Sequence, residues 1–189
     1  MRILHVSQWF LPGLGYEENF LPQWQSRLGH EVWIVTSNRT PPYQVSGQRT
    51  FPIGTLEEDN VKILRLPSLC LGKRTWIWLL RLKDALARIR PDVLHAHRLW
   101  GLPTVQTLHR SLGCKLVADD HTDSGNVPTG LGARFRFALA RRVCRRVLRQ
   151  GGKIISVNPF SRNFVSQNLG VPLGKIQLLP LGINTETFF

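Results

Sequence analysis

Seven short apolar runs, separated by stretches with helical periodicity, constrain the fold of this chain most. Most of the runs lack polar alternation, which is typical of strands covered on both faces in a parallel sheet. The runs are Ile3–Val6, Val32–Thr36, Val61–Leu66, Val93–Ala96, Leu116–Ala118, Ile154–Val157 and Ile176–Leu179. The helical patterns lie at about 17–28, 76–90, 103–112, 133–150 and 159–168. This alternation predicts right-handed βαβ units, and so a single α/β, Rossmann-like, doubly wound and mostly parallel sheet of about seven strands.

One connection departs from this regular alternation. Residues 38–60 form a polar stretch with three prolines and two glycines between the second and third predicted strands. Connections of this length are functional or mobile. We expect a long loop here.

Length and composition exclude several classes of protein. The chain has 189 residues, 42% hydrophobic and 20% charged, which suits one domain and excludes a disordered or collagen-like chain. No apolar run approaches the roughly 20 residues of a membrane-spanning helix. The N-terminus lacks the shape of a signal peptide, and three cysteines at unrelated spacings argue against disulfides or a zinc cluster. We expect a cytoplasmic protein.

The charge of the chain is unusual. There are 25 basic residues against 12 acidic ones, a formal net charge of +13, and 19 of the basic residues are arginine. Such a field favours an anionic partner, which can be nucleic acid, an anionic membrane face or a phosphorylated substrate. Composition does not choose among these partners.

The carboxyl ends of the predicted strands are the expected place for a ligand. After the first strand, residues 12–18 read Pro-Gly-Leu-Gly-Tyr-Glu-Glu, where glycines permit close backbone approach and a helix N-terminus offers free N–H groups. The dinucleotide fingerprint G-x-G-x-x-G fails because Glu18 takes the third glycine position. We therefore expect no NAD site, and a tight structural turn is the alternative reading.

Histidines and aspartates follow two neighbouring strands. Period-two geometry places His95 and His97 on one face, and Asp119-Asp120-His121 ends the next strand. One alternative is a metal-dependent hydrolase that uses His97, Asp120 and His121, but the spacing is weakly specific and we expect no metal or other cofactor. His95 suits a buried, hydrogen-bonded role. His121 suits an open cleft, oriented by Asp119 or Asp120.

Two helical patterns carry surface signals. Helix 133–150 has seven arginines and no acid, and six of the arginines, with Arg141, Arg145 and Arg149 among them, lie opposite its apolar face. In helix 76–90 the core stripe begins at Trp78, and Trp76, Ile77 and Leu80 project from the other side. Aromatic residues beside basic ones predict contact with an anionic membrane. The alternatives are contact with another domain, or a non-catalytic basic module that binds nucleic acid, although no nucleic-acid-binding motif is present.

Several motifs in order resemble group 1, family 4-like glycosyltransferases. The resemblance rests on the following segments: Arg2–Val6, Pro12–Glu18, Leu28–Val32, Val35-Thr36, Pro91–His97, Ile154–Asn158, Leu169–Pro172, Lys175-Ile176 and Pro180–Asn184. They cover essentially the whole chain. The resemblance implies a GT-B enzyme with two Rossmann-like domains, of which residues 1–189 form the N-terminal, acceptor-side domain without the C-terminal nucleotide-sugar domain.

The resemblance also implies a function. We expect a retaining glycosyltransferase that moves a sugar from a nucleotide-sugar to a lipid-linked or polysaccharide acceptor of the cell envelope, at the inner face of the plasma membrane. His121 is the expected catalytic residue, and the expected acceptor-binding residues are Gly15, Tyr16, Glu18, His97 and Asp120. Because the paired-glutamate segment that holds the donor has no counterpart here, this chain alone is expected to be nearly inactive, whether it is a fragment or one half of a two-chain enzyme.

Overall fold

A computed structural model describes residues 1–13, 17–42, 50–71, 76–108, 113–122, 125–127 and 129–182. The strands are β1 (Arg2–Val6), β2 (Glu31–Ser37), β3 (Gly54–Glu58), β4 (Val61–Leu66), β5 (Ser68–Leu71), β6 (Trp76–Leu79), β7 (Val93–Ala96), β8 (Lys115–Asp120), β9 (Lys153–Ser156) and β10 (Ile176–Leu178). The α-helices are α1 (Glu17–Arg27), α2 (Leu82–Ile89), α3 (Leu102–Leu108), α4 (Leu131–Arg149) and α5 (Pro159–Leu169), and a short 3₁₀ helix covers Leu173–Lys175.

The main sheet has eight strands in the order β10-β9-β8-β7-β1-β2-β4-β3. All neighbouring pairs are parallel except β3 with β4. The predicted α/β class and mostly parallel sheet are confirmed, and each of the seven predicted apolar runs lies in a parallel strand. The chain leaves β1 towards β2 on one side and leaves β7 towards β8 on the other. The crevice between β1 and β7 is therefore the topological switch point, where open α/β sheets bind ligands.

Helices cover the two faces of the sheet unequally. Helix α1 contacts β2 and β4, whereas α2, α3, α4 and α5 contact one another in succession. Right-handed crossovers that run in opposite directions along a sheet place their helices on opposite faces. The larger apolar core lies beneath α2–α5, and a smaller cluster of Phe10, Val32, Ile34, Val61 and Ile63 lies on the side of α1.

Strand β3 lies inside the stretch that was expected to be a loop. It is an antiparallel edge strand and its first four residues are exposed. An exposed strand needs no apolar run, so the pattern of apolar runs did not predict it. The turn to β4 is made by Asp59 and Asn60, both with positive φ (50° and 60°), as a two-residue type I′ hairpin requires.

The prediction of a helix over residues 76–90 is wrong at its N-terminal end. Residues 76–79 form β6, which pairs antiparallel with β5, and α2 begins only at Leu82, after Arg81 takes a left-handed φ of 60°. In a strand, alternate side chains face opposite sides. Ile77 is therefore fully buried and Trp78 is exposed, the reverse of the expected arrangement, so Ile77 is not available for membrane contact.

Candidate active site

A pocket of about 320 Å³ opens at the carboxyl edge of the sheet, at the switch point. The loop after β1 forms one wall with Trp9, and α1 contributes Glu18. The ends of β7 and β8 contribute His97, Asp119 and His121. Three elements that are distant in sequence thus bring their polar ends to one cavity.

Asp119 is the centre of a buried polar network beneath this pocket. Its Oδ2 atom lies 2.8 Å from Nε2 of His95 and 2.7 Å from Nδ1 of His97. Its Oδ1 accepts a hydrogen bond from the backbone N–H of Arg98 at 3.0 Å. The register between β7 and β8 explains the cluster. His95 pairs with Val117, and the residues two positions further along each strand, which face the same side, are His97 and Asp119.

The network continues through β1 to helix α1. His5 pairs with His95 in the β1–β7 register, and its Nδ1 lies 2.9 Å from Nε2 of His97. Its Nε2 lies 2.7 Å from Oε1 of Gln25, which only accepts, so His5 carries its proton on Nε2. Burial, together with the charges of His95 and His97, lowers the pKa of His5 well below 6.5. A neutral His5 therefore accepts at Nδ1 from the N–H of His97.

His97 and Asp119 form a charged pair. Burial opposes protonation of His97, but the Asp119 carboxylate outweighs it and raises the pKa of His97 to about 9. Burial alone would raise the pKa of Asp119, whereas the positive charge of His97 and hydrogen bonds from His121, His95 and His97 hold it well below 3.8. At neutral pH His97 is an imidazolium that donates to Asp119 and to His5.

His121 lies between two carboxylates at the mouth of the network. Its Nε2 is 2.9 Å from Oε2 of Glu17, in the first turn of α1, and 3.5 Å from Oδ1 of Asp119. Burial opposes its charged form, but hydrogen bonds to Asp119 and Glu17 outweigh burial and raise the pKa of His121 to about 10. Its side chain is 29% exposed, so a protonated ring faces the pocket.

The pocket wall that follows β1 is held by buried polar side chains. The guanidinium of Arg65, 1% exposed, donates from Nη1 to the carbonyl of Phe10 at 3.1 Å. The hydroxyl of Ser37 donates to the carbonyl of Gln8 at 2.7 Å. Both donors lie on strands next to the loop, so the sheet itself fixes this wall.

Arginine and tryptophan side chains alternate in a row of contacts that starts at Arg98, which lines the pocket. Arg98 has a left-handed φ of 67°, a conformation that is costly for a residue with a Cβ, and its guanidinium lies 4.8 Å from the ring of Trp100. Arg136 lies 5.4 Å from the same ring and 5.0 Å from Trp76. Burial and the charge of Arg98 lower the pKa of Arg136. Two cations thus flank one aromatic ring next to the pocket.

Sequence comparison identifies the family. Residues 21–187 match the family described as Glycosyltransferase Family 4. The chain belongs to glycosyltransferase family 4. The resemblance drawn from its motifs is thereby confirmed. Among curated protein sequences, none is significantly similar to this chain.

Solved structures with the same fold include glycosyltransferases. Sucrose-phosphate synthase from Thermosynechococcus elongatus matches 98% of this chain over 49% of its own, with a TM-score of 0.65 and 13% identity. A second, shorter structure of that synthase matches with a TM-score of 0.60 and 14% identity, covering 100% of this chain and 93% of its own. A glycosyltransferase from Rickettsia africae matches 99% of this chain over 44% of its own, with a TM-score of 0.57 and 13% identity. At such identities the likeness shows the fold, and this family 4 chain spans about half the length of two of these proteins.

The predicted site residues separate into three groups. His97, Glu18 and His121 line the pocket. Asp120 does not: it is fully buried, and its Oδ1 accepts from the backbone N–H of Thr122 and the hydroxyl of Ser161. Neighbouring residues of a strand face opposite sides, so Asp119 rather than Asp120 joins the two histidines. Gly15 and Tyr16 lie outside the described residues.

Sequence reasoning missed several members of the network. It left Asp119 as one of two options for orienting His121, and it did not single out His5, Glu17 or Arg98 as site residues. His5 occupies an apolar strand with no polar neighbour that would indicate its role. The pairing of β1 with β7 places His5 opposite His95, and this pairing, which is known only from the strand order, indicates the role of His5.

The histidine cluster fits protons better than a metal ion. Two sets, His5-His95-His97 and His97-Asp119-His121, have potential ligand atoms within 4.8 Å of one another. However, both nitrogens of His97 are engaged, one with His5 and one with Asp119, so a metal ion bound to His97 would have to replace one of these contacts. The hydrolase hypothesis with His97, Asp120 and His121 as ligands is not supported, because Asp120 faces away.

The other predicted membrane-contact residues differ in exposure. Trp76 and Leu80 are half-buried, and Trp76 stacks on Phe135 at 6.3 Å. Arg145 and Arg149 are exposed, and the exposed Arg141 donates from Nε to the carbonyl of Asn168 at 2.8 Å. Among the described residues, no helix is both long and apolar enough to cross a membrane.

Proposed function

We propose that this chain forms the acceptor-binding half of a retaining glycosyltransferase, which transfers a sugar from a nucleotide-sugar to a lipid-linked or polysaccharide acceptor. The observation that carries the proposal is the position of His121, held between the carboxylates of Asp119 and Glu17 at the pocket mouth on the switch point. Family 4 membership supports the reaction class. The retaining course is part of the proposal.

His121 acts as a fixed, positively charged hydrogen-bond donor rather than as a base. With a pKa of about 10 it keeps its proton at neutral pH, so it does not abstract one from the acceptor. An imidazolium pre-oriented by two carboxylates can donate a hydrogen bond to an oxygen of the transferred sugar and stabilise charge that develops in the transition state. Its orientation requires no rearrangement, because Asp119 is itself held by His95 and His97.

The acceptor occupies the pocket wall formed by this chain. Glu18 and His97 line the pocket. Gly15 and Tyr16, which precede α1 in the sequence, are proposed to contact the acceptor as well. Arg98 on the rim adds a positive charge stacked on Trp100. This charge favours acceptors that carry an anionic group, such as the phosphate of a lipid-linked sugar. An acceptor of that kind agrees with a cytoplasmic enzyme at the inner face of the plasma membrane.

The test is a transfer assay with the enzyme assembled from this chain and a donor-binding domain. Radiolabelled UDP-, GDP- and ADP-sugars are offered with a lipid extract and a polysaccharide fraction as acceptors. We expect His121→Ala to reduce transfer by about 100-fold or more, as loss of a charge-stabilising group does. His30→Ala is the matched control, since His30 lies at the opposite edge of the sheet, before β2.

Two measurements decide the outcome. Thermal unfolding of both variants shows whether the fold is retained. Transfer at the wild-type rate by a folded His121→Ala variant removes His121 from the mechanism, and absence of transfer from any nucleotide-sugar by the wild-type enzyme overturns the proposed reaction.

A further inference from the structure

A second cavity lies between α3 and α4, apart from the pocket of His121. It has a volume of about 440 Å³. Helix α3 contributes Val105, and one face of α4 contributes Leu139, Arg142, Val143, Arg146, Arg149 and Gln150. We call this cavity the α3–α4 groove. The catalytic proposal assigns it no role.

The arginines of the groove form one stripe. Arg142, Arg146 and Arg149 follow one another by four and three residues, a spacing that places side chains on the same face of a helix. Within the described part of the chain, none of the three has an ion pair, and no carboxylate lines the groove. Like charges at this spacing destabilise a helix by a few tenths of a kcal/mol per pair. An anion bound between these arginines would offset their mutual repulsion.

One arginine has an unsatisfied donor inside the groove. Arg146 is only half-buried as a residue, but its Nε is buried and has no hydrogen-bond partner among the described residues. Because this Nε is closed off from solvent, an anionic oxygen in the groove would contact the outer part of the Arg146 side chain together with the exposed Arg142 and Arg149.

Apart from Gln150, the other described residues that line the groove are apolar. Val105, Leu139 and Val143 lie beside the arginine stripe. A free phosphate or a nucleic-acid backbone would use the arginines and leave these walls unoccupied. An amphiphile would use both, with its phosphate on the arginines and its hydrocarbon against the valines and leucine. We infer that the α3–α4 groove binds the phosphate headgroup and first acyl carbons of an anionic phospholipid.

This inference is independent of sugar transfer. Lipid binding is measured without donor or acceptor. A chain that transfers no sugar can therefore still bind vesicles, and a chain that binds no vesicles can still be part of a transferring enzyme. Membrane contact would then be located at the α3–α4 groove on α4, which includes Arg149, rather than at the buried Ile77.

The experiment is flotation of the full chain with vesicles of phosphatidylcholine, prepared with and without phosphatidylglycerol. The groove variant carries Arg142→Gln and Arg146→Gln. The matched control carries Arg134→Gln and Arg145→Gln, which remove the same charge from exposed positions of the same helix outside the groove. Since each arginine near an anionic surface strengthens binding, we expect both variants to bind more weakly. The groove variant should lose at least about tenfold more, because only its arginines contact the bound phosphate.

A third variant separates shape from charge. Leu139→Trp fills the groove without changing the net charge, and Leu139 is only partly buried, so the fold is expected to survive, which thermal unfolding checks. We expect it to reduce retention on phosphatidylglycerol vesicles as the groove variant does. Equal losses in the groove and control variants, or unchanged retention in a folded Leu139→Trp variant, would show diffuse attraction and overturn the inference.

Two further probes distinguish other anions. Inorganic phosphate and a random DNA duplex are titrated against the chain at near-physiological salt. Saturable binding of either probe that the groove variant abolishes, with no retention on anionic vesicles, assigns the groove to that anion and overturns the lipid. Retention on phosphatidylglycerol vesicles that phosphate and DNA do not displace supports the lipid.

Discussion

At the scale of single residues, Asp119 determines the geometry of the candidate site. It is 1% exposed, and moving such a carboxylate out of water costs several kcal/mol. Contacts from His95 and His97 on one oxygen, and from Arg98 and His121 on the other, offset that cost. Since each of these donors lies on a strand end or directly after one, the charge of Asp119 ties the tips of β7 and β8 together.

The same residues predict a pH dependence of stability. The pKa values of His97 and His121 are raised to about 9 and about 10, above the 6.5 of an unfolded chain. Their contribution to the free energy of unfolding is therefore fully present below about pH 6.5 and is lost as the pH rises through 9 and 10. We expect urea denaturation at a series of pH values to show stability falling across this alkaline range.

The control for this prediction is His121→Gln, which removes one of the two titrating rings. Its stability should fall less steeply between neutral pH and pH 10, because only His97 is left to lose its proton there. A wild-type protein whose free energy of unfolding is constant over this range, or a variant with an unchanged slope, would contradict the assigned protonation states.

Sequence reasoning selected Glu18, His97 and His121, which line the pocket, and Asp120, which does not line it although Asp119 does. Asp119 and Asp120 are adjacent, so one faces the pocket side and the other faces α5. The alternation in β7 placed His95 and His97 together, as observed. Selecting Asp119 requires knowledge of how β7 and β8 are aligned, and this alignment cannot be read from the sequence of either strand alone.

At the scale of elements, burial on both faces decided which strands were predictable. Every strand that forms only parallel pairs in the main sheet was predicted, whereas the exposed edge strand β3 and the antiparallel pair β5–β6 were missed. The segment Trp-Ile-Trp-Leu at 76–79 fits a strand and a helix equally well by hydrophobicity. Its pairing with β5, a tertiary contact, selected the strand.

The junction between α4 and β9 predicts a stability effect. A Cβ on Gly152 would lie 2.7 Å from the carbonyl oxygen of Leu116 and 2.9 Å from that of Val147, so helix and sheet approach too closely for any side chain. We expect Gly152→Ala to lower the free energy of unfolding by about 2 kcal/mol, measured by urea denaturation. Gly174→Ala, whose Cβ would meet nothing within 4 Å, should change it by less than about 0.5 kcal/mol. A Gly152→Ala variant as stable as this control would contradict the packing.

At the scale of the whole molecule, the proposed function makes this chain one wall of a cleft. It matches 49% of the sucrose-phosphate synthase chain and 44% of the Rickettsia africae glycosyltransferase. Its polar network ends at an open carboxyl edge, where His121 is partly exposed. A second wall is needed to hold a nucleotide-sugar in reacting geometry over that edge, because transfer depends on fixing both substrates together.

This arrangement predicts that the chain by itself transfers sugar at least about 100-fold more slowly than the assembled enzyme, since the advantage of holding both substrates is lost. The measurement compares radiolabel transfer by the chain alone, by a donor-binding domain alone and by the two mixed. We expect activity only in the mixture, and expect His121→Ala in this chain to abolish that activity although the donor-binding domain is unchanged. If the 189-residue chain alone matches the mixture, the pocket is a complete active site, and the open edge at His121 then binds donor and acceptor together.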